Sequence, residues 1–507
     1  MVHLKRQILV CSPPVLRALW KHVESSPVGY RLARGAFWSL FGTLISRGLA
    51  LVSTVIVGRM LTARGFGELG ILQSTVGLFG TVAGFGLGMS ATKHVAEFRN
   101  SAPERAGRII ALGSASAWVS SGIMATVLAI SAPWVAQHSI AAPHLAGLLR
   151  IASLLLLLNG VNGAQMGALS GFEAFKTISK ISLISGLLSF PLMIVGVRVA
   201  GLTGALWAMV AGAAITCILS WFAVRSEALK ARIPLSYKGC SKELSILLRF
   251  NVPAMLNSVM LSFSSWACGA ILVNQMGGYS GMGVYSAVKR VQQVPEVLVG
   301  MILTPLFPIL SEAFGRKEMR TYGKTLMIGF SMASLLMIPV SLLQLAAPWL
   351  TILPYGTTYA GGEAVVRWLM LGSIAYGLLW PLGTVIITVG RMWMAFWLVL
   401  LNTTLLLTLG WFLVPRYGAA GYAAACMVAF TIGNIPCVFF LYSHFGPVMR
   451  DFRWGKMLFL SAALSLLCWA FGSESGRLLS LSLGLAAALF FLLWCLWFHP
   501  LRKSSTQ

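Results

Sequence analysis

Residues 58–70 read GRMLTARGFGELG and contain, from Gly65 to Gly70, the pattern G-x-G-x-x-G of dinucleotide-binding loops. That site requires a strand before the loop, a helix after it, and an acidic residue about 20 positions further on. Here an apolar stretch at 36–57 precedes the loop, and a second one at 68–90 follows it. The flanking sequence therefore argues against a nucleotide site and predicts a tight turn between two paired helices.

Apolar stretches of this kind continue along the whole chain. Of its 507 residues, 57% are hydrophobic and 10% are charged, and the mean hydropathy is +0.82. Soluble proteins carry about 25% charged residues, so a chain this apolar must use lipid as its solvent. A two-domain soluble enzyme is excluded. The eight cysteines are scattered and show no spacing typical of disulfide frameworks or zinc sites.

The distribution of basic residues predicts the topology. About 20 apolar residues span a bilayer, and the chain offers fourteen such stretches. With the amino terminus inside, 28 of the 38 Lys and Arg fall in cytoplasmic segments and five in outer loops. This bias places both termini in the cytoplasm, and it accounts for most of the net charge of +25 without nucleic acid.

An internal repeat divides the chain. Gly65-Phe66-Gly67 recurs as Gly281-Met282-Gly283, Ala132-Pro133-Trp134 as Ala347-Pro348-Trp349, Arg150 as Arg367, and Gly201 and Gly204 as Gly418 and Gly421, at offsets of 215 to 217. Two six-helix units in parallel orientation follow, a design typical of alternating-access transporters. The predicted segments are a basic cytoplasmic arm (1–34), an N-lobe with six spans (35–223), a cytoplasmic linker (224–249), a C-lobe with six spans (250–443), and two further spans with a cytoplasmic tail (444–507).

Several segments resemble the Wzx-type polysaccharide flippases of the multidrug/oligosaccharidyl-lipid/polysaccharide exporter superfamily. They are VGRMLTARGFGELGILQS at 57–74, ALSGFEAF at 168–175, RFNVPAMLNS at 249–258 and GMGVYSAVKRV at 281–291. The resemblance implies an all-α, two-lobed bundle with a V-shaped central cavity. It also implies that an undecaprenyl-diphosphate-linked oligosaccharide is moved to the outer leaflet. Many members carry an Asp in the seventh span, where this chain reads SFSSWACGAILVNQM without an acid.

Charged and polar residues inside the spans are the candidate site. In the first span, Thr43 and Arg47 share one face, and Arg47 lies near the bilayer midplane. In the eighth span, Lys289, Gln292, Gln293 and Glu296 share a face, beside Arg290. The residues predicted to line the substrate cavity are Thr43, Arg47, Lys289, Arg290, Gln292 and Gln293. Arg and Lys suit a diphosphate, and amides and hydroxyls suit sugars. Glu296 is a candidate for H⁺ or Na⁺ coupling.

Structural roles compete for the same residues. Arg47 can pair with a helix carbonyl, Lys289 and Arg290 lie close enough to the outer end to snorkel to the interface, and Glu296 can simply neutralise Lys289.

No catalytic motif is found, so we expect a transporter in the inner membrane without cofactor. Its expected partners are the lipid-linked oligosaccharide, the bilayer, and a polymerase and glycosyltransferases of the same pathway. A lipid II flippase, a cation-coupled multidrug exporter of the same fold, and a membrane-bound glycosyltransferase or polymerase remain alternatives.

Overall fold

The computed structural model describes residues 27–84, 87–235, 244–303, 306–389, 391–451, 454–472 and 476–497. The described chain is built from helices. Their bounds are α1 Pro27–Gly84, α2 Leu87–Phe98, α3 Pro103–Trp134, α4 Ala146–Gly171, α5 Phe175–Lys230, α6 Leu244–Val273, α7 Gly278–Leu303, α8 Leu306–Gly315, α9 Met319–Ala346, α10 Trp349–Ile352, α11 Glu363–Thr388, α12 Met392–Gly433, α13 Ile435–Asp451, α14 Trp454–Gly472 and α15 Arg477–Trp497. Helices dominate because lipid offers no partner for free backbone groups, which must be paired within each segment.

Three helices are long enough to cross a membrane twice, and each contains a sharp backbone break. The breaks lie at Thr62 in α1, at Ala200 and Gly201 in α5, and at Gly418 in α12. Gly201 (φ 54°, ψ −130°) and Gly418 (φ 55°, ψ −133°) share a conformation that only glycine adopts readily. The two positions are 217 residues apart, so the backbone shows the repeat that the sequence predicts.

The helices form two lobes. The first packs α1, α3, α4 and α5 together, and the second packs α6, α9, α11 and α12. Contacts between the lobes run mainly through α1, α6 and α7. Helices α14 and α15 pack mainly on α9. Trp469 of α14 also meets Trp368 of α11, with ring centroids 5.2 Å apart, and Trp349 Nε1 of α10 donates to Ser480 Oγ of α15 over 3.3 Å. The predicted C-terminal pair is thus attached to the outside of the second lobe.

Ten helices in the described part of the chain are individually long and apolar enough to span a membrane, and three of them contain the breaks described above. Helix α7 is not among the ten; it carries Lys289, Arg290 and Glu296. The chain is therefore a multi-pass membrane protein, and the number fourteen stays a prediction.

The predicted tight turn at Gly65–Gly67 is wrong. The chain turns at Thr62 (φ 62°, ψ 174°), and Gly65 and Gly67 already lie in the helical segment that follows. Glycine is not needed there for a left-handed backbone. Gly67 instead leaves room for another helix, which approaches it closely. We call the end of the bundle with the Thr62 break and the loops at 135–145 and 347–362 the turn end.

Candidate functional site

A cavity of about 640 Å³ lies between the lobes. Helices of both lobes line it, and its size is typical of ligand pockets. The lining residues are Gln73, Val76, Gly77, Gly80, Thr81, Gly84, Gly88, Met89, Leu155, Leu156, Asn159, Gly160, Gly163, Ala164, Met209, Met255, Ser258 and Arg290. The wall is mainly apolar with a few polar groups, so it can receive a molecule that is itself amphipathic.

Arg290 contributes the positive charge among these lining residues. It lies on α7 of the second lobe, is half-buried, and its Nη2 donates to Gln73 Oε1 of the first lobe. Gln73 in turn directs its Nε2 to Met209 Sδ over 3.3 Å. A cationic side chain is thereby held at the junction of the lobes, with its guanidinium on the cavity wall.

The cavity face of α1 was missed by the sequence reasoning. Gln73, Gly77, Gly80, Thr81, Gly84 and the nearby Gly88 at the start of α2 all line the cavity. Their separations of three, four or one residue place them along one side of the helix. The sequence does contain a signal for this face, because small and polar residues recur at helical spacing inside an otherwise apolar span.

Lys289, Gln292 and Glu296 form a separate group in the second lobe. Lys289 Nζ donates to Gln292 Oε1 at 3.1 Å and to Glu296 Oε1 at 3.4 Å. Gln292 is 5% exposed, and its Nε2 donates to Leu369 O of α11 over 3.3 Å. None of the three is among the residues that line the cavity. The structure therefore separates Arg290 from its neighbour Lys289.

The sequence matches a known family over a long segment. Residues 32–314, more than half of the chain, match the family described as polysaccharide biosynthesis protein. The chain belongs to this family.

Two relatives of this polysaccharide biosynthesis family member extend over most of its length. The lipid III flippase of Escherichia coli (strain K12) is 22% identical over 414 residues, which cover 79% of this chain and 96% of the flippase. The succinoglycan biosynthesis transport protein ExoT of Rhizobium meliloti (strain 1021) is 25% identical over 362 residues, or 70% of this chain and 68% of ExoT.

Two solved structures share the fold. The lipid II flippase MurJ in an inward closed conformation superposes with a TM-score of 0.66 at 13% identity, covering 91% of this chain and 99% of MurJ. The inward-facing conformation of a multidrug resistance MATE family transporter gives 0.66 at 14% identity, covering 82% and 99%. At these identities the likeness concerns the fold alone, and it confirms the predicted all-α, two-lobed membrane architecture.

Three further predicted site residues, Thr43, Arg47 and Gln293, are not among the described residues that line the cavity. Arg47 is exposed on α1 and lies within electrostatic range of Arg290. Gln293 is half-buried on α7. The side chain of Thr43 lies outside the described residues. The roles of these residues in substrate binding stay predictions.

The seventh span of this family member, α6, contributes hydroxyl and apolar groups to the site. Ser258 and Met255 line the cavity. Further along the helix, Trp266 Nε1 donates to Thr75 Oγ1 of the first lobe over 3.0 Å. The polar character of this helix is therefore used between lobes and in the cavity.

Proposed function

We propose that the protein moves an undecaprenyl-diphosphate-linked oligosaccharide from the cytoplasmic to the outer leaflet of the inner membrane by alternating access. The product would serve surface polysaccharide synthesis, upstream of a polymerase and downstream of glycosyltransferases. The single observation that carries the proposal is the cavity between the lobes with Arg290 on its wall. The names of the relatives, a lipid III flippase and a succinoglycan transport protein, support the substrate class.

The charges of the cavity favour an anionic headgroup. A diphosphate carries about two negative charges, and arginine binds phosphate oxygens through two parallel hydrogen bonds. Arg290 supplies that group on the wall, and Arg47 adds positive potential beside it. Asn159, Thr81 and Ser258 offer donors and acceptors for sugar hydroxyls.

Energetics favour a transient role for the Arg290–Gln73 hydrogen bond. An arginine at the centre of a membrane helix costs about 2.5–3.5 kcal/mol on insertion scales, and a neutral amide offsets only part of that cost. A phosphate would be a stronger acceptor, because charge-assisted hydrogen bonds are about twice as strong as neutral ones. Binding of the headgroup would therefore replace Gln73 as the partner of Arg290.

Energy coupling is proposed for the group around Glu296. Its carboxylate is 19% exposed and lies 3.4 Å from Lys289, inside the second lobe and apart from the cavity lining. Protonation of Glu296, or a cation in place of the Lys289 ammonium, would alter the packing of α7 against α11. Since α7 also carries Arg290, such a change would reach the substrate site.

The alternative functions make different demands on the cavity. An exporter of cationic drugs needs carboxylates there, whereas the lining residues that the structure describes include Arg290 and no acid. A lipid II flippase needs the same diphosphate site and differs in the sugar. The proposed transport also assigns no catalytic residue to the chain.

The decisive experiment combines deletion with complementation. Cells without the protein should accumulate the lipid-linked repeat unit on the cytoplasmic side and lose the surface polymer. The wild-type gene should end the accumulation and restore the polymer. Normal surface polymer without accumulation would contradict the flippase proposal. Accumulation of lipid II instead would favour the alternative substrate.

A further inference from the structure

At the turn end the two lobes touch through two glycines of the repeat. A methyl group on Gly67 would overlap Tyr279 O and lie 2.8 Å from Gly283 N. A methyl group on Gly283 would overlap Ala63 O and lie 3.1 Å from Gly67 N. Gly67 and Gly283 are related by the offset of 216, and so are Ala63 and Tyr279. The contact is therefore reciprocal and lies at the pseudo-twofold axis of the molecule.

A first set of cross-lobe hydrogen bonds closes over the Thr62 break. Because the helix is interrupted at Thr62, backbone carbonyls near the break lose the N–H donors that a regular helix would provide. Tyr359 of the second lobe donates its hydroxyl to Gly58 O at 2.9 Å and lies 3.3 Å from Thr62 O. In the opposite direction, Arg59 donates to Pro354 O and, at 3.3 Å, to Leu353 O.

A second set lies on the other side of the axis. Asn274 Nδ2 donates to Ser139 O over 2.8 Å, and the Tyr279 hydroxyl donates to Ile140 O over 2.6 Å. Ser139 and Pro354 are equivalent in the repeat, at offset 215. Arg59 of the first lobe and Asn274 of the second therefore donate to equivalent carbonyl groups, each in the turn-end loop of the other lobe.

The glycine contact continues along α1 and α7 down to the cavity. One turn below it, the space at Gly70 is filled by Ser286, and below that Gln73 accepts from Arg290. Tyr355, from the turn-end loop, donates to Ala287 O of α7 over 3.3 Å, and burial raises the pKa of Tyr355 to about 12. This hydroxyl stays protonated at physiological pH and can keep donating.

We propose that this seam is the outer gate of the transporter, that Gly67 and Gly283 are the positions that allow it to close, and that the two hydrogen-bond sets hold it shut. The proposal rests on transport by alternating access, as proposed above, and on the predicted orientation with both termini in the cytoplasm, which places the turn end outside, but on no particular substrate. Opening must separate α1 from α7, and the Gln73–Arg290 hydrogen bond is the inner end of the same seam. An anion that takes Arg290 from Gln73 would therefore loosen the gate from below.

The test measures access to the cavity from outside. In a variant whose eight cysteines are replaced, Asn159→Cys places a thiol on the cavity wall, and a membrane-impermeant maleimide is added to intact cells. With the glycines in place labelling should be low. Gly67→Ala and Gly283→Ala should each raise it several-fold, because a methyl group prevents close approach. Gly281→Ala is the matched control on α7, since its methyl would lie 3.4 Å from Ala419 Cβ, an ordinary contact, and labelling should stay low.

Two further variants keep the test decisive if the alanine variants do not reach the membrane. Tyr359→Phe and Asn274→Ala remove hydrogen bonds without adding bulk and should raise labelling in combination. Parental labelling in variants of normal membrane level would overturn the gate. The assay contains no chosen substrate, so failure of the flippase proposal is seen separately, in the accumulation experiment.

Discussion

Gln73 of the first lobe accepts a hydrogen bond from Arg290 of the second lobe, on the wall of the central cavity. The pair is 217 residues apart in sequence. The hydrogen bond joins Arg290, the residue proposed to bind the headgroup, to the opposite lobe. Binding of the headgroup would therefore change a contact between the lobes through this one guanidinium.

Arg290→Ala should remove the main charge on the cavity wall. A hydrogen bond to a charged group contributes about 1.5–3 kcal/mol, so headgroup affinity should fall by about 10- to 150-fold. Arg290→Lys should retain part of it as a point charge, and Arg47→Ala should act in the same direction. Export of the lipid-linked unit in a complemented deletion strain provides the measurement. Arg198→Ala, an exposed residue, is the control, and unchanged export in Arg290→Ala would contradict the assigned role.

Gln73 variants test the competition between amide and phosphate. Gln73→Glu should pair with Arg290 as an ion and compete with an anionic headgroup, whereas Gln73→Leu should leave Arg290 available. Binding of a diphosphate lipid to the purified protein should therefore be weaker in Gln73→Glu than in Gln73→Leu. The reverse order would show that Gln73 itself contacts the headgroup.

Glu296→Gln should change the dependence of transport on pH or on Na⁺, because it removes the carboxylate paired with Lys289. Truncating one partner of a charge pair leaves the other uncompensated. The single variants Glu296→Gln and Lys289→Gln should therefore each unfold at a lower temperature than the parent protein. The double variant Lys289→Gln/Glu296→Gln should recover part of this loss, as in a double-mutant cycle. An unchanged ion dependence in Glu296→Gln would remove the coupling role while leaving the structural one.

Gly201→Ala and Gly418→Ala test the breaks in α5 and α12. Both glycines have positive φ, and an L-residue held in such a region costs about 1–3 kcal/mol. Each variant should lower the thermal unfolding midpoint in detergent. Gly122→Ala, at a helical glycine with open space around it, should leave it unchanged or raise it. Equal unfolding midpoints for all three variants would mean that the breaks at Gly201 and Gly418 do not require glycine.

The sequence was sufficient for the architecture because the signals there are local and numerous. Apolar length and the repeated glycines predicted the lobes, and Gly201 and Gly418 have nearly the same dihedral angles. The sequence also predicted a span at the position of α7, although its charges keep this helix from being among the ten described helices that are long and apolar enough to span a membrane.

The site was harder to predict because it depends on how helices rotate against their neighbours. Lys289 and Arg290 are adjacent, about 100° apart around the helix axis, and packing turns Arg290 to the cavity and Lys289 towards Glu296. Likewise Gly67 looked like a turn residue, because its true neighbour, Gly283, lies in the other half of the chain. Only the assembled lobes reveal such a contact.

The contact between Gly67 and Gly283 has the form of an isologous interface, in which the same patch meets itself across a twofold axis. A homodimer of one six-helix half would make it with a single glycine. In the fused chain the same closure depends on two separate codons, and a change in either one is enough to hold the lobes apart. A homodimer would need to keep one glycine codon for this contact, whereas the fused chain must keep two.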